Sequence, residues 1–379
     1  GREGGKGEGE PTVAKKGDLT AVSLPLDLEK GALVMRVVVD KDGKVAGLFF
    51  RPGSKKVSYT PPAYVDTSKF KEVEVTVGEG KWKLPGTLTV PKGEGEVCGV
   101  VLVHGSGPHD RDETIPPNKP FRDLAWGLAS KGVAVLRYEK RTKAHGAQMV
   151  KEKVKVTLKE EVVDDAVAAA KLLRAKTKIQ PDCVFVAGHS LGANVSPLIG
   201  SRDPRLGGLI LLAGNVSSLE KLALEQYKYF FNLDGKVSAQ EKAALDKLVK
   251  GIEILKDPEK LATAKAKFLP LGLDRTYWKS VLAYDPVKVA RKLKVPMLVL
   301  QGGRDYQVTP KELELWKKGL KGKKNVTFKS YPKLNHLMMA GEGKSTPDEY
   351  KKPGHVAAQV LEDMVAFIKE HAPKTVKFP

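Results

Sequence analysis

The sequence predicts an α/β fold: an open, mostly parallel eight-stranded sheet with helices on both faces, a helix-rich insertion, and a small N-terminal antiparallel β appendage. Short continuous apolar runs such as Cys98 to Val103 recur after residue 70, as in strands buried on both faces. Helical patterns alternate with the later runs, as when crossover helices join parallel strands.

Composition narrows the function classes. The 379 residues suit one large α/β domain with an appendage. Hydrophobic residues at 41% and charged residues at 29% can fill a core, which excludes general disorder. No apolar run reaches the roughly 18 residues of a membrane span. Two cysteines exclude a disulfide-stapled scaffold and a four-cysteine zinc site. The formal net charge of +20 raises a non-catalytic, anionic-polymer-binding reading. However, Lys317 to Lys324 carries no stacking aromatic, and glutamate interrupts Lys151 to Lys159. Solvated surface accounts for both runs, and no nucleic-acid partner is expected. The chain starts on Gly1 with no apolar signal core, which fits a cytoplasmic chain and an exported one after signal removal, so the compartment stays open.

The elements follow in order. Residues 1–18, rich in Gly, Lys and Glu, read as a flexible arm. Leu19 to Leu28 carries Pro25 and suits an edge strand. Ala32 to Val39 and Lys44 to Phe50 read as a hairpin across Asp40-Lys41-Asp42-Gly43. Residues 19–62 are thus a small β meander, ending in a linker from Pro52 to Pro62. Eight strand candidates follow: Glu72 to Val77, Leu84 to Val90, Cys98 to His104, Val133 to Tyr138, Cys183 to Ala187, Gly208 to Ala213, Val295 to Gln301 and Val326 to Tyr331. Val163, Ala166, Val167, Ala170 and Leu173 share one face of a helix over Glu160 to Lys176. In such sheets chemistry sits beyond the carboxyl ends of the strands.

The motifs fall there. Gly188-His189-Ser190-Leu191-Gly192 lies between a buried strand and an apolar helical segment, the setting of a nucleophile elbow. A serine hydroxyl is a weak nucleophile until a base takes its proton, so an acid and a histidine should follow downstream. Asp305 and His336 lie in the loops after two successive strands, in the order Ser, Asp, His. Neither would stand out alone; their placement together makes Ser190, Asp305 and His336 a triad. Of the other histidines, His189 is expected to point away from the serine hydroxyl, and His104 to shape its loop. His109 and His145 sit in loops with no partner pattern, His355 lies where a helix begins, and His371 is near the tail. No cluster has metal-ligand spacing, and neither a metal nor a cofactor is expected. His104-Gly105-Ser106-Gly107-Pro108 ends another strand. The backbone N–H groups of Ser106 and of Leu191 are assigned to an oxyanion hole.

His104 to Arg111, Arg137 to Lys143, the Ser190 elbow, Gln301 to Thr309 and Tyr331 to Met338 together resemble bacterial serine esterases of the α/β-hydrolase superfamily. The closest set looks like the dienelactone-hydrolase-like esterases, which often follow a small nuclear-transport-factor-like domain. Residues 19–52 are similar to the closing strands of that domain, whose helical part gives way here to the Gly/Lys arm. The resemblance spans about residues 70–375 and implies an α/β-hydrolase fold and a serine carboxylesterase for small, short-chain acyl esters, working through an acyl-enzyme. A peptidase, amidase or thioesterase on the same triad is the alternative. In this fold the helix-rich segment, about 215–293, forms a cap over the pocket. Its aromatics, such as Tyr229, Phe230 and Trp278, either line the pocket or pack the cap. Asp110, Arg111 and Asp112 are expected to order the oxyanion loop by ion pairing. Cys98 and Cys183 open strands that lie side by side in this fold; buried free thiols are expected, with an oxidisable pair as the alternative. The N-terminal strands are expected to dock on the body or to support a homodimer.

Overall fold

The computed structural model describes residues 11–28, 31–53 and 59–378. The chain divides into two compact units, Gly1–Thr60 and Pro61–Pro379. In the first, β1 (Thr12–Lys16), β2 (Leu19–Leu28), β3 (Gly31–Val39) and β4 (Val45–Gly53) form an antiparallel sheet in that order. β1 corrects the expectation of an arm over residues 1–18. Thr12-Val13-Ala14 is β-compatible, Gly17 turns at φ 60°, and the ladder runs from Thr12 opposite Ser23 to Lys16 opposite Leu19. Residues 1–10 of the expected arm and 54–58 of the expected linker lie outside the described residues. In the β3–β4 turn, Asp40 Oδ1 accepts the N–H groups of Asp42 and Lys44 at 3.0 and 2.9 Å.

The second unit is built on β5 (Phe70–Val77), β6 (Leu84–Pro91), β7 (Val97–Val103), β8 (Ala134–Tyr138), β9 (Ile179–His189), β10 (Gly208–Leu212), β11 (Met297–Gly302) and β12 (Val326–Tyr331). Their order in the sheet is β12-β11-β10-β9-β7-β8-β6-β5. β6 pairs antiparallel with β5 and β8; the remaining pairings are parallel. The chain leaves β7 for β8 on one side and returns to β9 on the other. The loops after β7 and β9 therefore flank the point where strand order reverses, a natural ligand crevice.

The helices are α1 (Pro120–Ser130), α2 (Arg141–Ala144), α3 (Gly146–Lys151), α4 (Asp164–Arg174), α5 (Leu191–Arg202), α6 (Leu219–Phe231), α7 (Ala239–Leu255), α8 (Pro258–Thr263), α9 (Arg275–Leu282), α10 (Pro286–Ala290), α11 (Pro310–Gly319) and α12 (Ala358–His371). A π-helical turn at Lys159–Val163 leads into α4. Strand alternation sorts the core into two layers. Val101 and Val103 of β7 face α4 and α5 through Ala166, Leu173, Ala193 and Ile199. Val100 and Leu102 face α1 and α12 through Leu124, Leu128, Leu361 and Ile368. Each fully buried Val, Leu or Ile among them stabilises the fold by about 1.5–3 kcal/mol.

Helices α6 to α10 all lie between β10 and β11. Cys98 and Cys183 form a disulfide with Cα atoms 4.8 Å apart, which corrects the expectation of free thiols. Gly99 is in register with Val184 across β7 and β9, so the two preceding residues meet on one face. Among the described residues no helix is long and apolar enough to cross a membrane.

Candidate active site

Ser190 joins the end of β9 to the first residue of α5, with φ 53° and ψ −114°. A non-glycine residue held there stores on the order of 1–3 kcal/mol of strain. The turn is held by the Ser190 N–H on the Leu212 carbonyl and the Asn194 N–H on the Ser190 carbonyl, both 2.9 Å. Glycines flank it because there is no room for a Cβ. One at Gly188 would overlap the Gly192 peptide, and one at Gly192 would run into the Val103 carbonyl.

Asp305 and His336 come together beside it. His336 Nδ1 lies 2.7 Å from Asp305 Oδ2, and both residues are buried. Asp305 Oδ1 accepts the N–H groups of Gln307 and Val308 at 2.8 and 2.9 Å, which fixes the carboxylate as acceptor and His336 Nδ1 as donor. Asn335 shapes the histidine loop by accepting the N–H groups of Leu337 and Met339. No hydrogen bond joins Ser190 Oγ to His336 in this structure. They are brought near through His189, whose ring centroid is 4.7 Å from that of His336.

The third motif closes the other side. A Cβ built on Gly105 would stand 3.2 Å from Ser190 Cβ, so the loop after β7 lies against the elbow. Among the described residues no backbone carbonyl takes the N–H of Ser106 or of Leu191. Ser106, Ser190 and Leu191 line one cavity of about 760 Å³, within the usual range for small-molecule sites. Leu222 and Ala223 of α6 and Val281 of α9 supply much of its apolar wall. Other aromatics of the insertion pack instead: Trp278 is fully buried, and Tyr229 stacks on Tyr306 at 4.9 Å.

Several residues at the site were not singled out from sequence. Glu113 is buried at φ 50°. Its Oε1 accepts the Gly105 N–H at 2.6 Å, and its Oε2 lies 2.9 Å from His189 Nδ1. His189 Nε2 donates to the His336 carbonyl at 2.9 Å, which leaves Nδ1 facing the Glu113 carboxylate. Burial opposes the charge on each, but their mutual attraction wins: the Glu113 carboxyl falls to about 2 and the His189 imidazole rises. Lys140, also buried, donates to the Gly105 carbonyl at 2.7 Å and to Glu161 Oε1 at 2.6 Å. Burial lowers His104 to about 3, leaving it neutral, with Nε2 donating to the Asp110 carbonyl. Asp112 pairs with Arg137, Lys119 and Arg122, and Arg111 with Glu74 and Glu139, the ion pairing expected of these two; Asp110 instead orders the loop by accepting the N–H groups of Asp112 and Thr114 at 3.1 and 2.9 Å. Among the described residues no cluster of His, Cys, Asp or Glu is arranged to hold a metal ion.

A family model described as serine aminopeptidase, S33, matches residues 99–344, an interval that runs from β7 past the His336 loop. The chain belongs to this family of α/β-hydrolase-fold serine hydrolases. Esterase EstD of Thermotoga maritima is 41% identical to this family member over 343 residues, covering 90% of this chain and 78% of that protein. The solved structure of the Pyrococcus furiosus esterase Pf2001 has a TM-score of 0.50 at 18% identity, covering 83% of this chain and 94% of its own. Est1E from Butyrivibrio proteoclasticus has a TM-score of 0.50 at 17% identity, covering 79% and 98%. At those identities the two structures establish the shared fold alone.

Proposed function

We propose that this S33-family enzyme hydrolyses small, short-chain acyl esters through a Ser190–His336–Asp305 triad and an acyl-enzyme. The enzyme is a carboxylic ester hydrolase, the activity carried by the name of its 41% identical relative. The observation that carries the finer reading is the buried 2.7 Å pair of His336 and Asp305 beside a strained serine that opens into the cavity.

In this mechanism Ser190 attacks the ester carbonyl while His336 Nε2 takes its proton. Asp305 keeps the other ring proton on Nδ1 and stabilises the imidazolium. The missing Ser190–His336 bond forms as substrate engages, since catalytic hydrogen bonds often tighten only in the complex. The N–H groups of Ser106 and Leu191 receive the oxyanion, each contributing on the order of 3 kcal/mol. The alcohol leaves with the proton from His336, and water repeats the sequence on the acyl-serine. Helices α6 and α9, part of the insertion, act as a cap: their apolar side chains exclude water and bound the acyl pocket.

The family's description favours a second reading, amide hydrolysis. An aminopeptidase needs an anionic group for the substrate ammonium near the nucleophile. Among the described lining residues the carboxylate is Asp285, and its Oδ1 already accepts the Lys288 N–H at the start of α10. A chain-length series of p-nitrophenyl esters, run against aminoacyl anilides, tests the choice. Turnover highest on acetate to butyrate, with little on the anilides, is expected. Faster turnover of the anilides would move the assignment to the second reading.

A further inference from the structure

We propose that Lys140 is a positioning residue for the oxyanion hole, clamping the Gly105–Ser106 peptide by its carbonyl so that the Ser106 N–H stays aimed at the reacting centre. The inference rests on the reading of Ser190 as nucleophile and Ser106 as oxyanion donor. It also gives a role to the stretch Arg137 to Lys143, which sequence reasoning singled out without a function.

The argument is one of peptide geometry. The Gly105 carbonyl and the Ser106 N–H belong to one planar trans peptide and point to opposite sides. Fixing one direction fixes the other. Lys140 Nζ holds that carbonyl at 2.7 Å from a site that is 2% exposed. The neighbouring peptides are held as well. Glu113 accepts the Gly105 N–H at 2.6 Å, and His109 Nε2 donates to the Ser106 carbonyl at 2.6 Å. Three side chains thus pin three consecutive peptides, while the Ser106 N–H lacks a backbone acceptor among the described residues.

The energetics point the same way. A buried Lys–Glu pair such as Lys140 and Glu161 contributes little to stability that a well-packed apolar pair would not. A buried ammonium on a peptide carbonyl polarises that peptide, making its N–H a stronger donor when charge develops opposite. Glu161 balances the ammonium charge, and Tyr277 faces Glu161 from α9.

The test compares Lys140→Met with Glu161→Gln, which leaves Lys140 on the Gly105 carbonyl. For Lys140→Met, kcat on p-nitrophenyl acetate should fall by about 10- to 100-fold with KM little changed, the scale of a misplaced catalytic group. Inhibition by phenylboronic acid, which forms a tetrahedral adduct on the nucleophile, should weaken by the same factor. Glu161→Gln should keep most of kcat. Wild-type kcat in folded Lys140→Met, or an equal loss in both variants, would overturn the proposal. Should Lys140→Met not fold, Lys140→Gln stays polar beside Glu161, but its amide NH2 ends one bond short of the ammonium that holds the Gly105 carbonyl. It should show the same loss, and full activity there would also overturn the proposal. Ser190→Ala, assayed in parallel, separates the two levels: retained turnover there sinks the nucleophile reading, whatever Lys140 does.

Discussion

Replacing Asp305 with Asn should leave the protein folded and remove nearly all turnover. Oδ1 of Asp305 takes two backbone N–H groups, from Gln307 and Val308, while Oδ2 takes the His336 Nδ1 proton at 2.7 Å. An amide has one oxygen. Keeping it on the two backbone donors preserves the loop and turns the NH2 group toward His336 Nδ1. Two donors then face one another unless the ring proton moves to Nε2, and that tautomer has no lone pair for the Ser190 proton. The cost of the wrong tautomer at such a triad is about 10³–10⁴ in kcat, or roughly 4–5.5 kcal/mol of barrier. KM should change little, because Asp305 is buried and does not line the cavity. Steady-state hydrolysis of p-nitrophenyl acetate near pH 7.5, with circular dichroism to check folding, measures this. A folded variant within tenfold of wild-type kcat would refute the assignment of Asp305 as the orienting acid.

Other outcomes follow from the same geometry. Because Ser190 is held at φ 53°, Ser190→Gly should unfold at a higher temperature than Ser190→Ala, by the equivalent of about 1 kcal/mol; equal melting temperatures would mean the elbow is unstrained. The Glu113 carboxyl drops from its ordinary 4.5 to about 2 on folding, so its contribution is present above about pH 4.5 and is lost as pH falls toward 2. His189 has the opposite sign, contributing below its ordinary 6.5 and losing that contribution as pH rises through its raised folded value. The melting-temperature gap between wild type and Glu113→Gln should therefore be widest between about pH 4.5 and 6.5 and shrink in acid; a gap unchanged from pH 6 to pH 3 counts against the ion pair. Reducing the Cys98–Cys183 disulfide releases a constraint across 85 residues and should lower stability by about 4–5 kcal/mol on chain entropy, read as a fall in the urea midpoint with dithiothreitol. No fall would show that the bond does not form in solution.

What the sequence revealed and what it hid divide along one physical line. The eight strands of the main sheet, the Ser190 turn, and the loop positions of Asp305 and His336 are encoded locally. A buried parallel strand is a run of apolar residues, and a strained elbow needs glycines within two residues on either side. Strand β1 was hidden because the surrounding Lys and Gly outweigh Thr12-Val13-Ala14 in composition, and its support is the ladder with β2. The disulfide depended on register across two strands separated by most of a domain half. Glu113, Lys140 and His189 were illegible as a network because their partners are distant in the chain. Lys140 reaches back 35 residues to Gly105, and His189 reaches 147 residues on to His336. Charged residues are usually solvated, so nothing in Arg137 to Lys143 marks Lys140, or Arg137, as buried. The contacts that link Gly105, Glu113, Lys140, His189 and His336 become visible only once the sheet brings the ends of β7, β8, β9 and β12 together.

The central claim, that Ser190 is the nucleophile of an ester hydrolase, is tested most directly by covalent labelling. Diethyl p-nitrophenyl phosphate should release one equivalent of nitrophenol, abolish esterase activity, and leave its phosphoryl group on the peptide containing Ser190, with no such label in Ser190→Ala. A phosphoryl group on a different serine that tracks the loss of activity, or full activity with Ser190 labelled, would contradict it.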